Sequence, residues 1–271
     1  MSAIRGKSSA AVRALVFLML FAILWMAFPA ARCEGGTGAD AGPSGRMAQT
    51  SAGGAAGSII MDAASLLLMG GLLLYTSLYR KRGRLDDRMF FALIVINMVL
   101  AAADALTYMI DGSDYPGIQA VLIVGNLVFF AAFEIFPCLY MFYLDYRARR
   151  DEARIRRMLP WFSIPCAILL LLLPVSVLTG WIFSVDADGL YRAGPWNDLV
   201  FVPVAFYMLM SMLIVRRINT RLVLLELLIV CTRVLWGIWF REISSTALTY
   251  TLFLVCTHIH VMNQPLIEET L

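Results

Sequence analysis

Seven long apolar runs, separated by short polar segments, make up the chain after residue 57. The runs are Ser58–Tyr79, Met89–Ile110, Ile118–Leu144, Met158–Trp181, Leu199–Val215, Leu222–Phe240 and Thr246–Met262. Most of them approach or exceed the roughly 20 residues that an α-helix needs to cross a bilayer. Because lipid offers no partners to backbone polar groups, runs that are apolar on all sides are predicted to be helices. The pattern therefore predicts an all-α fold, a polytopic membrane bundle of seven transmembrane helices over residues 58–262.

The basic residues between the runs predict how the bundle is oriented. Fourteen lysines and arginines stand in the segments 80–88, 145–157 and 216–221, whereas the three alternate segments carry two. Lysine and arginine are enriched in cytoplasmic loops. The N-terminus of the bundle is therefore predicted outside the cell and the C-terminus inside (N-out/C-in).

The N-terminal part of the chain has the pattern of a secreted protein. A basic start, the apolar stretch Ala14–Phe28 and small residues around Cys33 predict a cleavable signal peptide over residues 1–33. Retention as a signal anchor and lipidation of Cys33 are the alternatives. Residues 34–57 are rich in Gly, Ala and Ser and predict a flexible extracytoplasmic tether. Residues 263–271 are predicted to form a short cytoplasmic tail.

The composition agrees with a membrane protein. Of the 271 residues, 61% are hydrophobic and 15% are charged, and the mean hydropathy is +0.78, whereas about 25% of the residues of a soluble domain are charged. The basic residues are concentrated between the apolar runs, so the predicted partner is the lipid bilayer and not nucleic acid. The sequence has no phosphate-binding glycine loop, metalloprotease motif or nucleophile elbow. Neither an enzymatic activity nor a cofactor is predicted.

Polar residues inside the apolar runs are the candidate functional residues, because ionisable groups are costly in a bilayer. These are Asp104, Glu134 and Arg233, with the amides of Asn97 and Asn126. At a rise of 1.5 Å per residue, Glu134 and Arg233 fall roughly 14 and 17 Å above the inner ends of their helices, and Asp104 lies in the outer half. Two interpretations stay open. The arginine pairs with one of the acids and fixes helix packing, or the set lines a polar cavity for a small ligand or a proton.

Four other polar residues are expected near the ends of their helices. Glu226 is predicted to extend to the inner headgroups, and Asp62 lies near the outer end of the first run. His258 and His260 are spaced i, i+2, which points them to nearly opposite faces of a helix, so no metal site is predicted. Both histidines are expected close to the inner surface, in contact with headgroups or a following domain.

The polar segment 182–198 predicts a small hairpin. Phe183 and Val185 alternate with polar residues before the turn Asp186–Gly189. The Asp-x-Asp-Gly pattern is shared with calcium loops, but the other ligands at the required spacing are absent.

The second basic segment is a candidate docking surface for a partner. It contains Arg154, Arg156 and Arg157, which can contact a separate signalling protein. Attraction of each arginine to anionic lipid is the alternative.

Four short stretches resemble the seven-helix membrane sensor region at the N-terminus of some bacterial diguanylate cyclases and histidine kinases. They are Tyr143–Arg147 (YLDYR), Thr179–Phe183 (TGWIF), Asp186–Pro195 (DADGLYRAGP) and His260–Gln264 (HVMNQ). The resemblance implies a location in the bacterial cell membrane and a role in signal transduction. In that family the seventh helix continues into a GGDEF or kinase domain, whereas this chain ends at Leu271, so no cyclase or kinase activity is expected.

Two functions are compatible with these observations. The first is a membrane sensor that detects an unknown small ligand or a membrane state and signals through a partner protein. The second is a small secondary transporter with Asp104, Glu134 and Arg233 on its pathway, although an odd number of spans without a repeat is unusual for that class.

Overall fold

The computed structural model describes residues 52–79, 85–113, 115–218, 224, 226–232, 235 and 243–263. The labelled helices are α1 (Ala52–Tyr79), α2 (Leu85–Ile110), α3 (Ile118–Arg149), α4 (Glu152–Phe162), α5 (Ile164–Thr179), α6 (Phe201–Ile218) and α7 (Thr246–Asn263). Strands β1 (Phe183–Val185) and β2 (Tyr191–Ala193) form a hairpin, and a 3-10 turn (Asn197–Val200) leads into α6. In the sixth apolar run, residues 224, 226–232 and 235 are helical.

Several helices are suited to a membrane, which confirms the coarse prediction. Within the described ranges, α1, α2, α3 and the stretch Asn197–Ile214 are long and apolar enough to cross a bilayer, and α4 with α5 forms a fifth span if that bent pair is counted as one. The apolar part of α7, Thr246–Ile259, is shorter. Large side chains such as Leu171 and Leu178 are exposed on the outer surface of the bundle, as expected for residues that face lipid. The signal peptide and the basic residues 80–84 lie outside the described residues.

The first helix begins at Ala52, so residues 52–57 of the predicted tether are helical. The start of the helix is held by contacts with the residues before α7. Ser58 Oγ donates to the carbonyl of Gly54 (3.1 Å) and accepts the backbone N–H of Ser244 (2.8 Å). Gly57 lies against Ile243 so closely that a Cβ there would approach Ile243 Cδ1 to 2.9 Å. These packing contacts order the start of α1, and the composition of residues 52–57 does not predict them.

The basic segment 145–157, predicted as a loop, is almost entirely helical. The third helix continues to Arg149, and α4 starts at Glu152 after a short turn. Arg149 pairs with Asp145 one turn earlier (3.2 Å), and Arg154 Nε donates to the other oxygen of Asp145 (3.1 Å). The Asp151 side chain caps α4 by accepting the N–H of Arg154 (3.0 Å). Ion pairing therefore extends both helices into a stretch whose charge predicted a loop.

The fourth apolar run, predicted as one helix, is two helices that meet at Ser163 with a bend of 44°. Pro165 stands in the first turn of α5, where its ring and missing N–H prevent α4 from continuing. Tyr207 on α6 bridges the break. Its hydroxyl donates to the carbonyl of Phe162 (2.7 Å) and accepts the N–H of Cys166 (3.1 Å).

The third helix lies at the centre of the bundle, where it packs against α2, α5 and α6. Its aromatic residues stack on α7. The rings of Phe136 and Tyr250 are 4.2 Å apart and nearly parallel, and Tyr140 contacts Phe253. The first helix packs on the other side, against α2 and α7. Three helices, α1, α2 and α7, therefore share one contact region.

The predicted hairpin is confirmed. The strands are antiparallel, with Phe183 opposite Ala193 and Val185 opposite Tyr191. The turn packs against the connection between α2 and α3, where the N–H of Gly112 donates to the carbonyl of Gly189 (3.0 Å). The hairpin therefore covers one end of the bundle, which is the outer end in the predicted orientation.

Candidate functional site

Two buried carboxylates, Asp62 on α1 and Asp104 on α2, form the centre of the candidate site. Asp62 is 0% exposed, and among the described residues neither of its carboxylate oxygens has a hydrogen-bond partner. Asp104 Oδ2 accepts a hydrogen bond from Ser244 Oγ (2.6 Å), just before α7. The two carboxylates lie within electrostatic range of each other. Helices α1 and α2 and the segment before α7 thus bring two acids near each other, in the outer half of the bundle if the predicted orientation holds.

Hydroxyl and amide groups continue this polar contact along the helices. Asn97 Nδ2 donates to Thr251 Oγ1 (2.7 Å) and to the carbonyl of Ala247 (3.3 Å) on α7. The hydroxyls of Thr251 and Ser65 on α1 are 2.5 Å apart. The α1–α2–α7 seam, as it is called below, consists of Ser58, Asp62, Ser65, Asn97, Asp104, Tyr108, Ser244 and Thr251.

The hairpin covers the acidic end of the seam through Tyr191. The backbone N–H of Tyr191 donates to Asp111 Oδ1 (3.0 Å). Burial, together with the negative charges of Asp104 and Asp111, raises the pKa of the Tyr191 phenol to about 12. The phenol therefore stays neutral beside the acids up to strongly alkaline pH.

The pKa of Tyr191 predicts an alkaline limit to stability. The pKa of a tyrosine in the unfolded chain is near 10.0, so between pH 10 and about 12 only the unfolded chain carries the phenolate. The neutral phenol of Tyr191 contributes about 3 kcal/mol to the free energy of unfolding. This contribution is fully present below pH 10 and is lost as the pH rises through this window. Thermal unfolding in detergent from pH 9 to 12 is expected to show a shallower loss for Tyr191→Phe than for wild type. The exposed Tyr115→Phe variant is the control, and identical slopes for Tyr191→Phe and wild type would contradict the prediction.

Glu134 belongs to a second cluster, at the break between α4 and α5. It is 0% exposed, and neither of its oxygens has a hydrogen-bond partner among the described residues. Its electrostatic neighbours are Cys138, one turn further along α3, and Cys166 on α5. The thiol of Cys138 also lies near Cys166 and Tyr207. Glu134 therefore faces the broken span.

The described contacts of Asp104 and Glu134 lead to different helices, and one cavity that contains both acids stays a prediction. Asn97 lies in the seam, whereas Asn126 Nδ2 donates to the Leu122 carbonyl of its own helix (2.8 Å). Arg233 lies outside the described residues, and its pairing with either acid stays a prediction.

Two predictions about the inner ends of the helices are wrong. Glu226 does not extend to the headgroups, because it is buried and its Oε1 accepts a hydrogen bond from Tyr140 (2.7 Å). His258 is buried against Phe90, with ring centroids 5.0 Å apart, and against Tyr75. Aromatic side chains of neighbouring helices bury both residues, and the local sequence does not predict these long-range contacts. The side chain of His260 lies outside the described residues.

The predicted docking arginines differ in their contacts. Arg154 pairs with Asp145 (3.1 Å) and contributes to the packing of α4 on α3. Arg156 is 83% exposed and lies 3.8 Å from Glu152, and Arg157 is exposed. Docking of a partner at these arginines stays a prediction.

Asp62 is the residue that the sequence analysis did not place in the site. Its signal was present, because it is a carboxylate within an apolar run, but its position near the outer end of the run made it a weaker candidate than Asp104 and Glu134. Across the described part of the chain, no group of three or more His, Cys, Asp and Glu side chains could hold a metal ion.

No family model, curated protein or solved structure matches this chain. The resemblance to bacterial sensor regions therefore stays a prediction from four short stretches, and the site has to be interpreted from its own chemistry.

Proposed function

We propose that this chain is a sensor-type membrane protein that binds a proton or a small cation in the α1–α2–α7 seam. In this proposal it spans the bacterial cell membrane seven times, with the N-terminus outside and the C-terminus inside, as the distribution of arginines favours. Occupancy of the seam is transmitted to a separate signalling protein at the inner side. The observation that carries the proposal is the buried carboxylate of Asp62 beside that of Asp104.

Electrostatics supports a cationic occupant. Two carboxylates buried within range of each other repel if both are charged, and burial removes the water that would screen them. A proton or a cation between Asp62 and Asp104 offsets this repulsion. The hydroxyls of Ser58 and Ser244 are oxygen donors of the kind that hard cations prefer. An anionic or purely apolar ligand would gain nothing from this set.

The position of the seam supports a role in transmission. Its side chains belong to α1, α2 and the start of α7, so an occupant changes the contact among three helices. The seventh helix then runs to the other end of the bundle, where Thr257 hydrogen-bonds Tyr140 (2.6 Å), which also contacts Glu226 (2.7 Å). A ligand shifts a conformational equilibrium by its differential affinity for the two states. A shift of α7 is thus available to a partner at the inner surface.

The test is the dependence of stability on cations. The purified protein in neutral detergent is heated at constant ionic strength in sodium chloride or choline chloride, at pH 5 to 9. Binding at 100 times the dissociation constant adds about 2.7 kcal/mol, so the wild-type unfolding temperature is expected to rise by several degrees with sodium or with protons. The double variant Asp62→Asn/Asp104→Asn is expected to lose this dependence, and the exposed Asp198→Asn variant to keep it. A dependence that survives in the double variant would refute the proposal.

A transporter is the second candidate, favoured by one observation. Broken helices and buried acids occur together at the sites of many secondary transporters, and here Glu134 faces the break between α4 and α5. Proteoliposomes with trapped pyranine, under a potassium diffusion potential set by valinomycin, report proton movement. A flux that is present in wild type and lost in Glu134→Gln would favour transport. Absence of flux in wild type would favour the sensor.

A further inference from the structure

The short helix α4 has two distinct faces. Ile155 is buried in the bundle, whereas Leu159 and Trp161 are exposed, the latter by 72%. Arg156 and Arg157 are exposed on the remaining surface. A helix with basic and large apolar side chains on separate parts of its surface is typical of the membrane interface.

The arginines near α4 differ in how exposed they are and in how closely an acid holds them. Arg147 and Arg150 share Asp86 (2.5 and 3.4 Å), and Arg149 and Arg154 share Asp145. The side chains of these four arginines are 17–35% exposed. Arg156, by contrast, meets Glu152 only at 3.8 Å and is 83% exposed, which gives a weak pair. Among these arginines, the most accessible positive charge is therefore on the surface of α4.

The geometry of the fourth span brings the start of α4 to the membrane surface. The 16 residues of α5 cover about 24 Å at 1.5 Å per residue, less than the roughly 30 Å of a hydrocarbon core. The end of α4 next to Ser163 therefore completes the crossing, and the 44° bend there directs the start of α4, with Arg156 and Arg157, into the interface. Tyr207 satisfies backbone groups on both sides of the bend, so the two helices can meet at an angle within the membrane.

We propose that the first half of α4 lies in the membrane interface and binds anionic phospholipid headgroups through Arg156 and Arg157. Leu159 and Trp161 enter the boundary between headgroups and acyl chains, as aromatic residues do at this depth. The headgroup phosphates accept hydrogen bonds from the two guanidinium groups. The basic surface that the sequence predicts as a docking site for a protein is thus assigned to lipid. This assignment is independent of the proposed function of the seam.

The test uses the full chain reconstituted in vesicles with brominated phosphatidylglycerol or brominated phosphatidylcholine. Bromine quenches nearby tryptophans, and the difference between wild type and Trp161→Phe isolates the signal of Trp161. Competition between the two lipids is expected to show a preference for phosphatidylglycerol near Trp161 of roughly 25-fold, since each of the two interfacial arginines contributes about a fivefold preference. Arg156→Gln/Arg157→Gln is expected to remove it, and Arg192→Gln, on the hairpin, to keep it.

Both arginines are exposed, so the double variant is expected to unfold at the wild-type temperature. An equal lipid preference in the double variant and wild type would overturn the proposal. So would a Trp161 that neither brominated lipid quenches. A protein partner retained in vesicles of phosphatidylcholine alone, and lost in the double variant, would assign the surface to protein instead.

Discussion

Replacement of Gly194 with alanine is expected to lower the thermal unfolding temperature by about 10 °C. A Cβ at this position would overlap the backbone carbonyl oxygens of Gly180 and Trp181. The two chain segments cannot move apart freely, because two backbone hydrogen bonds join them. The N–H of Gly194 donates to the carbonyl of Ile182 and that of Trp196 to the carbonyl of Trp181, both at 2.8 Å. A clash with backbone atoms costs about 3–5 kcal/mol, which in a protein of this size corresponds to the stated shift.

The matched control is Gly70→Ala. Nothing lies within 4 Å of a Cβ built on Gly70 in α1, and alanine in a helix interior is more favourable than glycine by up to about 1 kcal/mol. The control is therefore expected to unfold at the wild-type temperature or slightly above it. Because the hairpin carries Tyr191 over the acids, Gly194→Ala is also expected to expose the turn 186–190 to protease. Equal unfolding temperatures for the two variants would show that the hairpin is not held as described.

The hairpin shows which part of the fold the sequence predicts and which part it does not. The alternation of Phe183 and Val185 before an Asp-Gly turn is a local signal, and the strands formed where that signal predicts them. The position of Tyr191 beside Asp111 and Asp104 depends on contacts across some 80 residues of chain. The alternation of apolar and polar residues along the hairpin does not predict these long-range contacts.

The candidate site shows the same limit in another form. The cost of a charge in lipid identified Asp104 and Glu134, and helical rise gives their depth, but rise alone does not give the direction in which a side chain points. The structure turns Glu134 toward Cys166 on α5 and Asp104 toward Ser244 before α7. Depth also ranked Asp62 below the other two acids. Depth alone does not predict which neighbouring helices bury a side chain.

Helix ends were the least predictable feature of the bundle. The charges of residues 145–157 predicted a loop, although Asp145 and Arg149 at i, i+4 stabilise a helix. The apolar run around Ser163 predicted a continuous helix, because hydropathy does not distinguish an intact span from a broken one. The hydroxyl that bridges the break comes from Tyr207, far along the chain.

Loss of that hydroxyl in Tyr207→Phe is expected to cost about 2–4 kcal/mol. The substitution keeps the ring but leaves the carbonyl of Phe162 and the N–H of Cys166 without their described partner, and each buried unsatisfied group costs about 1–3 kcal/mol. Thermal unfolding in detergent measures the effect, with the exposed Tyr115→Phe as control. If water or lipid headgroups formed hydrogen bonds with these two backbone groups in the variant, both variants would unfold at the wild-type temperature. A loss confined to Tyr207→Phe would mean that a side chain of α6 holds α4 and α5 at their angle.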